Sequence, residues 1–213
     1  MQIAIDGPAG AGKSTLARNL ASVLDCPYVD TGLMYRAVTL YAVSHSVPLD
    51  DGQALARIAA DFSFRLGQAG EMVIDGERPS PQLHSAPVNT HVSEVSAHPE
   101  VREILVQRQR SLANEHCVVM AGRDIGTTVL PAAQVKIWVT AASQIRARRR
   151  SQQTGQRESV PRLESRDERD TERLTSPLRR PPDAVSIETD RLTPAQSLEA
   201  ALQITGQALG AGR

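Results

Sequence analysis

The sequence predicts an α/β fold in which helices flank a parallel sheet, and three observations indicate it. Short apolar runs alternate with amphipathic segments along the 213 residues. The first run, residues 2–5 (QIAI), is followed by a glycine-rich stretch and then by residues 14–25, whose leucines share one helical face. The later apolar runs are also short, and they suggest further buried strands. A chain of this length can bury one core, so we expect a single domain over residues 1–213.

The remaining elements follow in chain order. Further strands are predicted at residues 117–121 (CVVMA), 135–139 (VKIWV) and 184–187 (AVSI). Helices are predicted near residues 32–45, 99–114, 142–153 and 194–209. The last helix opens with Thr193 and Pro194, residue types preferred at an N-cap and in a first turn. Together these elements predict one doubly wound core.

A first stretch departs from this alternation. Residues 62–90 contain alternating segments around Gly70 and around the Asp75-Gly76 pair, followed by a proline-punctuated connection. Asp-Gly between alternating segments is a strong β-hairpin signal. We therefore expect a small β-rich insert over residues 62–98.

A second departure is strongly charged. Residues 146–173 contain nine Arg and six acidic residues, with few apolar ones. A segment of this composition lacks the apolar surface that folding buries, so we expect it to be a mobile excursion of the fold. Residues 150–173 would then form a lid.

Charge and composition exclude some classes of partner. The 24 basic and 24 acidic side chains cancel, so no global field draws the protein to nucleic acid or to a membrane. The hydrophobic stretches are too short to span a bilayer, and residues 1–6 (MQIAID) read as a buried strand instead of a secretory leader. We expect a cytoplasmic monomer that binds neither nucleic acid nor membrane. Cys26 and Cys117 lie in apolar contexts and are expected to be small buried hydrophobes with no disulfide or metal.

The strongest motif is a phosphate-binding loop. Residues 7–14 match G-x-x-x-x-G-K-[ST] between a predicted strand and a predicted helix, which is the context that the motif requires. The chain has 22 Arg and two Lys, yet Lys13 stands where such a loop needs a compact ammonium group for the β- and γ-phosphates. The Ser14 hydroxyl is the expected Mg²⁺ ligand. A chance glycine-rich turn is the alternative. The candidate ATP-binding residues here are Gly7, Pro8, Ala9, Gly10, Ala11, Gly12, Lys13, Ser14 and Thr15.

Two further clusters are candidates for the acceptor side. Asp30, Thr31 and Gly32 can cap a helix whose first turns carry Tyr35 and Arg36. Tyr35 packing in the core and Arg36 on a solvated face is the alternative. The second cluster is Arg123 and Asp124, which directly follow a predicted strand, at the edge where open α/β sheets bind ligands. A plain salt bridge explains this pair equally well.

The third cluster lies in the charged excursion. Arg166, Asp170 and Arg173 are spaced four and three residues apart and would share one face of a helix. An exposed helix of ion pairs is an equally good interpretation of these residues taken alone. Phosphoryl transfer, however, needs cations around the moving group and exclusion of water, and the three clusters together would supply both.

Six stretches of the sequence occur together in one order: IDGPAGAGKST, DTGLMYRAV, VSAHPEVREILVQRQR, AGRDIGTTVLP, VKIW and RDERDTERLTSPL. In these stretches the chain resembles bacterial cytidylate (CMP) kinases, a family of nucleoside monophosphate kinases, and the resemblance runs from Met1 to about Leu209. The resemblance implies a phosphate-loop kinase core, a nucleoside monophosphate (NMP)-binding insert, a lid, and transfer of the γ-phosphate of ATP to CMP or dCMP with Mg²⁺.

The resemblance also implies roles for individual residues. Ser93, Arg102 and Asp124 would contact the cytosine, where a carboxylate accepts from the exocyclic amine and disfavours uracil. Thr31, Tyr35 and Asp170 would lie near the sugar. The acceptor phosphate would be bound by Arg36, Arg123, Arg166 and Arg173, and the ATP phosphates by Arg146 and Arg150.

Three differences from the family pattern are visible. Ala121 stands where an acidic residue usually precedes GRD, Thr31 replaces a common Ser, and the excursion lacks much of a helical stretch before RDERD. Two other functions remain open. One is a related kinase for UMP or AMP, and the other is a nucleotide-dependent nucleic-acid-binding protein that uses the arginines of the excursion. A GTPase switch would need an N-K-x-D-like motif, which the sequence lacks.

Overall fold

The computed structural model describes residues 1–68, 70–114, 117–155 and 158–210, and for residues 153 and 154 the backbone alone. Residue 69 of the predicted insert, residues 156 and 157 of the predicted lid, and residues 115, 116 and 211–213 of the predicted domain lie outside this description. The chain divides into two compact units, Met1–Tyr28 with His116–Arg213, and Val29–Glu115. We call them the first and second units.

The first unit contains the parallel sheet that the sequence predicts. Its strands are β1 (Gln2–Asp6), β5 (Val118–Gly122), β6 (Val135–Thr140) and β7 (Val185–Glu188); β2 (Tyr28–Asp30) starts at the boundary between the units. The order is β2-β5-β1-β6-β7, and β1 pairs in parallel with both β5 and β6. Ile3, in the central strand, is opposite Val119 on one side and Val135 on the other. The carboxyl ends of β1 and β5 therefore lie at the same edge.

Helices pack on this sheet as the apolar periodicity predicts. The helices of the first unit are α1 (Lys13–Val23), α6 (Ser143–Thr154), α7 (Val160–Glu172) and α8 (Pro194–Gly210). Leu16, Leu20 and Ala201 bring α1 and α8 into one buried apolar cluster with the strand residues Ile5 and Ile137. Burying such side chains contributes about 1.5–3 kcal/mol each. This core fixes the positions of the loops at the carboxyl edge.

The second unit is mostly helical, with a small sheet. Its helices are α2 (Thr31–Ser44), α3 (Gly52–Asp61), α4 (Ala86–Val95) and α5 (Pro99–Ala113), and a 3₁₀ turn spans Pro81–His84. Its strands β3 (Phe64–Leu66) and β4 (Met72–Ile74) pair antiparallel. The Asp75-Gly76 turn follows, with φ of 50° and 84°, and residues 74 and 77 exchange both backbone hydrogen bonds across it. The turn predicted at Asp75-Gly76 is confirmed, and positive φ at both central residues explains the Asp-Gly sequence. It closes onto a single bridge at residue 77, whereas β3 and β4 are joined earlier, where Gly67 N donates to the Glu71 carbonyl oxygen. The expectation that residues 62–98 are β-rich is wrong, because α4 and the 3₁₀ turn contain more of these residues than β3 and β4 do.

The expectation for the two cysteines is wrong. Cys26 and Cys117 form a disulfide with their Cα atoms 5.4 Å apart. The cysteines come together because Pro27 accepts a hydrogen bond from the Val119 backbone, which aligns the two segments that lead into β2 and β5. The sequence around each cysteine shows that the adjacent residues are apolar, but it does not show which strands become neighbours.

No helix in the described part of the chain is both long and apolar enough to cross a membrane.

Candidate active site

The loop between β1 and α1 has the backbone that its motif predicts. Gly7 and Gly10 have φ of 146° and 74°, in the region that favours glycine. A Cβ atom on Gly7 would lie 2.0 Å from the carbonyl oxygen of Val139, and one on Gly10 would lie 2.7 Å from that of Arg146. Both positions therefore require glycine, because neighbouring backbone leaves no room for a side chain.

Side chains hold the carbonyl oxygens of this loop. The donor–acceptor pairs are Arg123 Nη1 and Gly7 at 3.2 Å, Lys13 Nζ and Pro8 at 2.7 Å, Arg146 Nη1 and Ala9 at 3.1 Å, and Thr189 Oγ1 and Ala11 at 3.0 Å. A peptide group whose carbonyl is held on one side presents its N–H on the other. The loop is thereby shaped as an anion-binding nest in front of the N-terminus of α1.

The first turn of α1 places the reactive side chains of the motif. Gly12 is the N-cap, and Lys13, with only 7% of its surface exposed, is the first helical residue. Ser14 and Thr15 follow in the same turn. The ammonium group of Lys13 thus lies among loop peptides and the positive helix end, a setting in which an incoming polyphosphate is a strong counter-charge.

Asp170 is the centre of a buried group of charges in the first unit. It is 4% exposed, and Arg123 Nε donates to its Oδ2 at 2.9 Å. Its backbone oxygen accepts from Arg173 Nε at 3.1 Å. Burial raises the pKa of Asp170, but the charges of Arg123, Arg173 and Arg166 outweigh burial and hold the pKa below its ordinary value. Asp170 is therefore ionised at neutral pH.

Arg123 connects this group to the phosphate loop. One guanidinium edge donates to Asp170 and another nitrogen donates to the Gly7 carbonyl oxygen. Arg123 directly follows β5, whose last residue, Gly122, is opposite Asp6 in the sheet. Asp124, the next residue, is also buried. The sequence placed this pair at the carboxyl edge, and the structure confirms that location.

The other predicted arginines of the excursion have different surroundings. Arg146 is buried and donates to the Ala141 and Ala9 carbonyl oxygens and to the Asp167 carboxylate. Arg150 lies 3.7 Å from Glu158. Burial lowers the pKa of Arg150, partly offset by the Glu158 charge. Arg146 thus acts as a tie between the phosphate loop and α7.

The expectation that residues 146–173 bury little holds for most of the described part of the segment, half of which is exposed, but it fails for several of its charged residues. Leu163, Asp170, Arg146 and Arg150 are all buried. The alternative of a fully exposed ion-pair helix fails for the same reason. Opposite charges on α6, α7 and the loop after β5 meet inside the fold, so the segment buries paired charges beside a small apolar cluster of Ala9, Ala147 and Leu163.

The predicted acceptor residues of the second unit are also buried. Asp30 caps α2 by accepting from Gly32 N at 3.1 Å, as the sequence predicts. Arg36 Nη1 donates to the Leu83 carbonyl oxygen and to Asn89 Oδ1, each at 2.8 Å. Both hydrogen bonds use Nη1, so two acceptors fix the position of this nitrogen. Like Arg36, the residues Thr31, Tyr35, Ser93 and Arg102 are buried.

Tyr35 and Arg102 meet within the second unit. The guanidinium carbon of Arg102 is 5.3 Å from the centroid of the Tyr35 ring, which is cation–π distance. Arg102 Nη1 also donates to the Ser96 carbonyl oxygen at 3.3 Å, and Ser96 Oγ donates to the Ser93 carbonyl oxygen at 3.2 Å. Three of the predicted residues are thereby linked on α2, α4 and α5.

Sequence reasoning missed several residues that support the site. Asp167 receives Arg146, and its Oδ1 accepts from Ala9 N at 3.4 Å. Thr189 accepts from Arg149 Nη1 at 2.8 Å while donating to the Ala11 carbonyl oxygen. Asp167 lies inside the RDERD motif and was within reach of sequence analysis. Thr189 carries no motif signal, because it meets the loop only through the fold.

Comparison with known proteins decides the family. The family profile described as "Cytidylate kinase" matches residues 3–207. The chain belongs to the cytidylate kinase family. It is 44% identical to a cytidylate kinase from Exiguobacterium sp. (strain ATCC BAA-1283 / AT1b), with 91% of each chain covered. It is 43% identical to a cytidylate kinase from Geobacillus kaustophilus, with 99% of this chain and 98% of that one covered.

Another relative in the cytidylate kinase family is longer. The chain is 46% identical over 208 residues to a bifunctional pantoate ligase/cytidylate kinase from Synechococcus sp. (strain JA-2-3B'a(2-13)). The match covers 91% of this chain and 38% of that protein. The chain therefore spans well under half the length of this relative.

Solved structures confirm the phosphate-loop kinase fold of this cytidylate kinase family member. A gluconokinase from Sinorhizobium meliloti 1021 superposes with a TM-score of 0.55 at 14% identity, covering 99% of this chain and 94% of that one. A shikimate kinase from Acinetobacter baumannii, in complex with shikimate, has a TM-score of 0.50 at 15% identity, covering 99% and 93%. At these identities the likeness establishes the fold alone.

Ala121 stands where the family resemblance implies an acidic residue before GRD. It is buried on β5 opposite Ile5 and packs in the apolar cluster of the sheet. A core residue therefore occupies this position.

Proposed function

We propose that this chain transfers the γ-phosphate of ATP to CMP or dCMP, giving ADP and CDP or dCDP. An oxygen of the acceptor phosphate attacks the γ-phosphorus, and the bond from that phosphorus to the β–γ bridging oxygen breaks, so that ADP leaves. Family membership supports the acceptor. The single structural observation that carries the proposal is Arg123, which bonds both the phosphate loop and the buried carboxylate of Asp170.

In the first unit, the proposed roles follow the charges. Lys13 and the loop residues 7–15 bind the ATP phosphates, with Arg146 and Arg150 as further contacts. Arg123, Arg166 and Arg173 bind the acceptor phosphate and stabilise the charge that develops in transfer. Asp170 holds these arginines together before substrate binds. Asp124 accepts from the exocyclic amine of cytosine.

In the second unit, the proposed roles concern CMP alone. Arg36 binds the acceptor phosphate, in the orientation that Leu83 and Asn89 give it. Ser93 and Arg102 contact the cytosine ring, and Thr31 and Tyr35 lie by the sugar. Residues 62–98 act as the NMP-binding insert and residues 150–173 as the lid of a single kinase domain, and the protein works as a cytoplasmic monomer.

Magnesium fits the donors that are present. Among the described residues, no three His, Cys, Asp or Glu side chains cluster as a metal cage. Mg²⁺ in phosphate-loop enzymes takes most of its ligands from water and nucleotide phosphates, so one protein hydroxyl suffices, and Ser14 supplies it. Bound Mg²⁺ would neutralise phosphate charge during transfer.

A coupled assay of ADP formation tests the proposal. ATP with Mg²⁺ is offered with CMP, dCMP, UMP, AMP and GMP in turn. We expect turnover of CMP and dCMP, and a much lower kcat/KM for UMP, because uracil presents an oxygen to Asp124 where cytosine presents an amine. A preference for UMP or AMP would overturn the assignment of the acceptor.

An inactivating variant and a control variant show whether the measured ADP comes from this protein or from a contaminating kinase. Lys13→Ala removes a preorganised charge and should lower kcat by about 10²–10³-fold with little change in Tm. Arg78→Ala, on an exposed side chain, is the control and should keep wild-type kinetics. Activity that persists in Lys13→Ala would show that the transfer does not use the phosphate loop as proposed.

A further inference from the structure

Asp6 bonds two consecutive backbone amides far away in sequence. It is the last residue of β1, directly before Gly7, and only 1% of its surface is exposed. Its Oδ1 accepts from Ile125 N at 2.8 Å and its Oδ2 accepts from Gly126 N at 2.7 Å. We call this three-residue arrangement the Asp6 clamp.

The clamp closes the start of an unusual turn. Residues Ile125–Val129 form a π-helical turn that begins after Asp124. The first N–H groups of a helical turn have no acceptor within the turn itself. A carboxylate that accepts from two of them satisfies both and fixes the direction in which the turn begins. Such turns are frequent at functional sites.

Asp6 thereby brackets Arg123 and Asp124 from both ends. Its backbone is opposite Gly122 in the ladder between β1 and β5, just before the pair. Its side chain holds Ile125 N, just after the pair. Only two residues lie between these anchor points, so their backbone has little freedom to turn. The directions of the Arg123 and Asp124 side chains depend on this short span.

Gly126 shows how closely the clamp is packed. A Cβ atom at this position would lie 2.9 Å from Pro181 Cγ, 3.2 Å from Lys136 Cδ and 3.3 Å from Asp6 Oδ2. A side chain here would therefore force the turn or the residues packed against it to shift. Glycine at residue 126 leaves room for the Asp6 carboxylate, and this carboxylate accepts a hydrogen bond from the Gly126 amide.

A buried carboxylate is a costly way to hold two amides. Burial raises the pKa of Asp6 to about 6, although the hydrogen bonds from the Gly126 and Ile125 amides lower it. The charge of Asp124 raises this pKa further, and the charge of Lys13 lowers it. If packing were the sole requirement, an apolar residue would avoid this cost. The geometry of the amides explains why the charge is kept.

We propose that Asp6 is a positioning residue for the acceptor nucleotide, acting through the Asp6 clamp on the directions of Arg123 and Asp124. Asp6 is buried and is not among the residues proposed to contact either substrate. The proposal rests on the proposed function, because Arg123 and Asp124 are the residues assigned to the acceptor phosphate and to cytosine.

Asp6→Asn tests the clamp with little change in volume. An amide accepts through one oxygen, but its NH₂ group meets the second backbone N–H donor-to-donor, so half of the clamp is lost. A small misplacement of catalytic groups costs up to about 10²-fold in rate. We expect kcat/KM for CMP to fall by about 10–100-fold, through a higher KM for CMP and a lower kcat, because Arg123 is assigned to both binding and transfer, while KM for ATP stays within about threefold.

A second variant and two controls keep the result interpretable. Gly126→Ala should produce the same loss for CMP by a different route. Asp61→Asn and Gly206→Ala make the same chemical changes at an exposed helix end and at a site with no neighbour within 4 Å of an added Cβ. Both controls should retain wild-type kinetics. A wild-type kcat/KM for CMP in Asp6→Asn would overturn the proposal. Equal rises in the KM for CMP and in the KM for ATP, together with a lowered Tm, would also overturn it.

Hydrogen exchange gives a readout that does not depend on the acceptor. Peptides that cover residues 125–130 should exchange faster in Asp6→Asn than in wild type, while peptides from α8 should not change. Unchanged exchange at residues 125–130 refutes the clamp. If the wild-type enzyme prefers another nucleotide to CMP, the proposed function fails, and the clamp is then judged by exchange and by the KM for that nucleotide.

Discussion

The ion pair between Arg123 and Asp170 makes a quantitative prediction for a double-mutant cycle. Two unit charges about 4 Å apart at an effective dielectric constant of about 20 attract by about 4 kcal/mol. Asp170 is buried and Arg123 is partly buried, and the two are hydrogen-bonded at 2.9 Å, but the charges of Arg166 and Arg173 also act on Asp170 and compensate part of the loss. We therefore expect a coupling free energy of about 2–3 kcal/mol.

The cycle compares wild type, Arg123→Ala, Asp170→Asn and the double variant by urea denaturation at pH 7.5. Arg123→Ala should be the least stable single variant, because it leaves a buried carboxylate without its nearest counter-ion. The exposed pair Arg78–Glu71, at 3.9 Å, is the control and should couple by about 0–1 kcal/mol.

The sign of the pH dependence is a second check on this pair. The pKa of Asp170 is depressed in the folded protein, so its contribution to stability is present above its unfolded pKa of about 3.8 and is lost as pH falls through the folded value. Arg123→Ala should move that loss to higher pH. A coupling below about 1 kcal/mol, together with an unchanged pH profile, would refute the idea that this pair organises the arginines.

Three other predictions follow from single features. Asp124→Asn should lower kcat/KM for CMP and narrow the gap to UMP, because the amide donates to the uracil oxygen, whereas equal losses in steady-state kinetics would give Asp124 a structural role only. The pKa of Asp6 is raised to about 6, so ionising it costs the folded protein stability. Wild type should therefore lose stability relative to Asp6→Asn as pH rises from about 4 to 7, by on the order of 3 kcal/mol in thermal unfolding. Parallel stability profiles of the two proteins would contradict this. Replacing Cys26 and Cys117 by Ser should cost about 4–5 kcal/mol in urea denaturation, since the disulfide closes a loop of 91 residues. Alkylation of both thiols in unreduced, denatured protein would show that they are not bonded.

Local signals in the sequence predicted much of the fold. The pattern of QIAI, glycines and spaced leucines predicted β1, the phosphate loop and α1, because each of these features depends on residues close in the chain. The Asp75-Gly76 turn was predictable for the same reason, since its two positive φ angles are a property of the turn itself. Helix α3 lies outside the predicted elements, although Asp51, a preferred N-cap residue, caps it by accepting from Ala54 N.

The candidate site was predictable as a set of residues but not as a set of contacts. Arg123 and Asp170 are 47 residues apart, and nothing in the spacing of either motif selects the other as its partner. Asp6 was overlooked because it precedes the motif and bonds amides more than a hundred residues away. The composition of residues 146–173 predicted exposure, since it counts charges and cannot register that opposite charges meet inside a fold.

The two lysines have a practical consequence for labelling chemistry. Lys13 donates to the Pro8 carbonyl oxygen inside the phosphate loop, and Lys136 donates to the Pro131 carbonyl oxygen and lies 2.8 Å from Asp183. Every other basic side chain apart from histidine is a guanidinium group, which acylating reagents and aldehydes modify poorly. A reagent directed at amines therefore has two side-chain targets in the sequence, one of them in the phosphate loop. Nucleotide dialdehydes should label this protein at a single, diagnostic position.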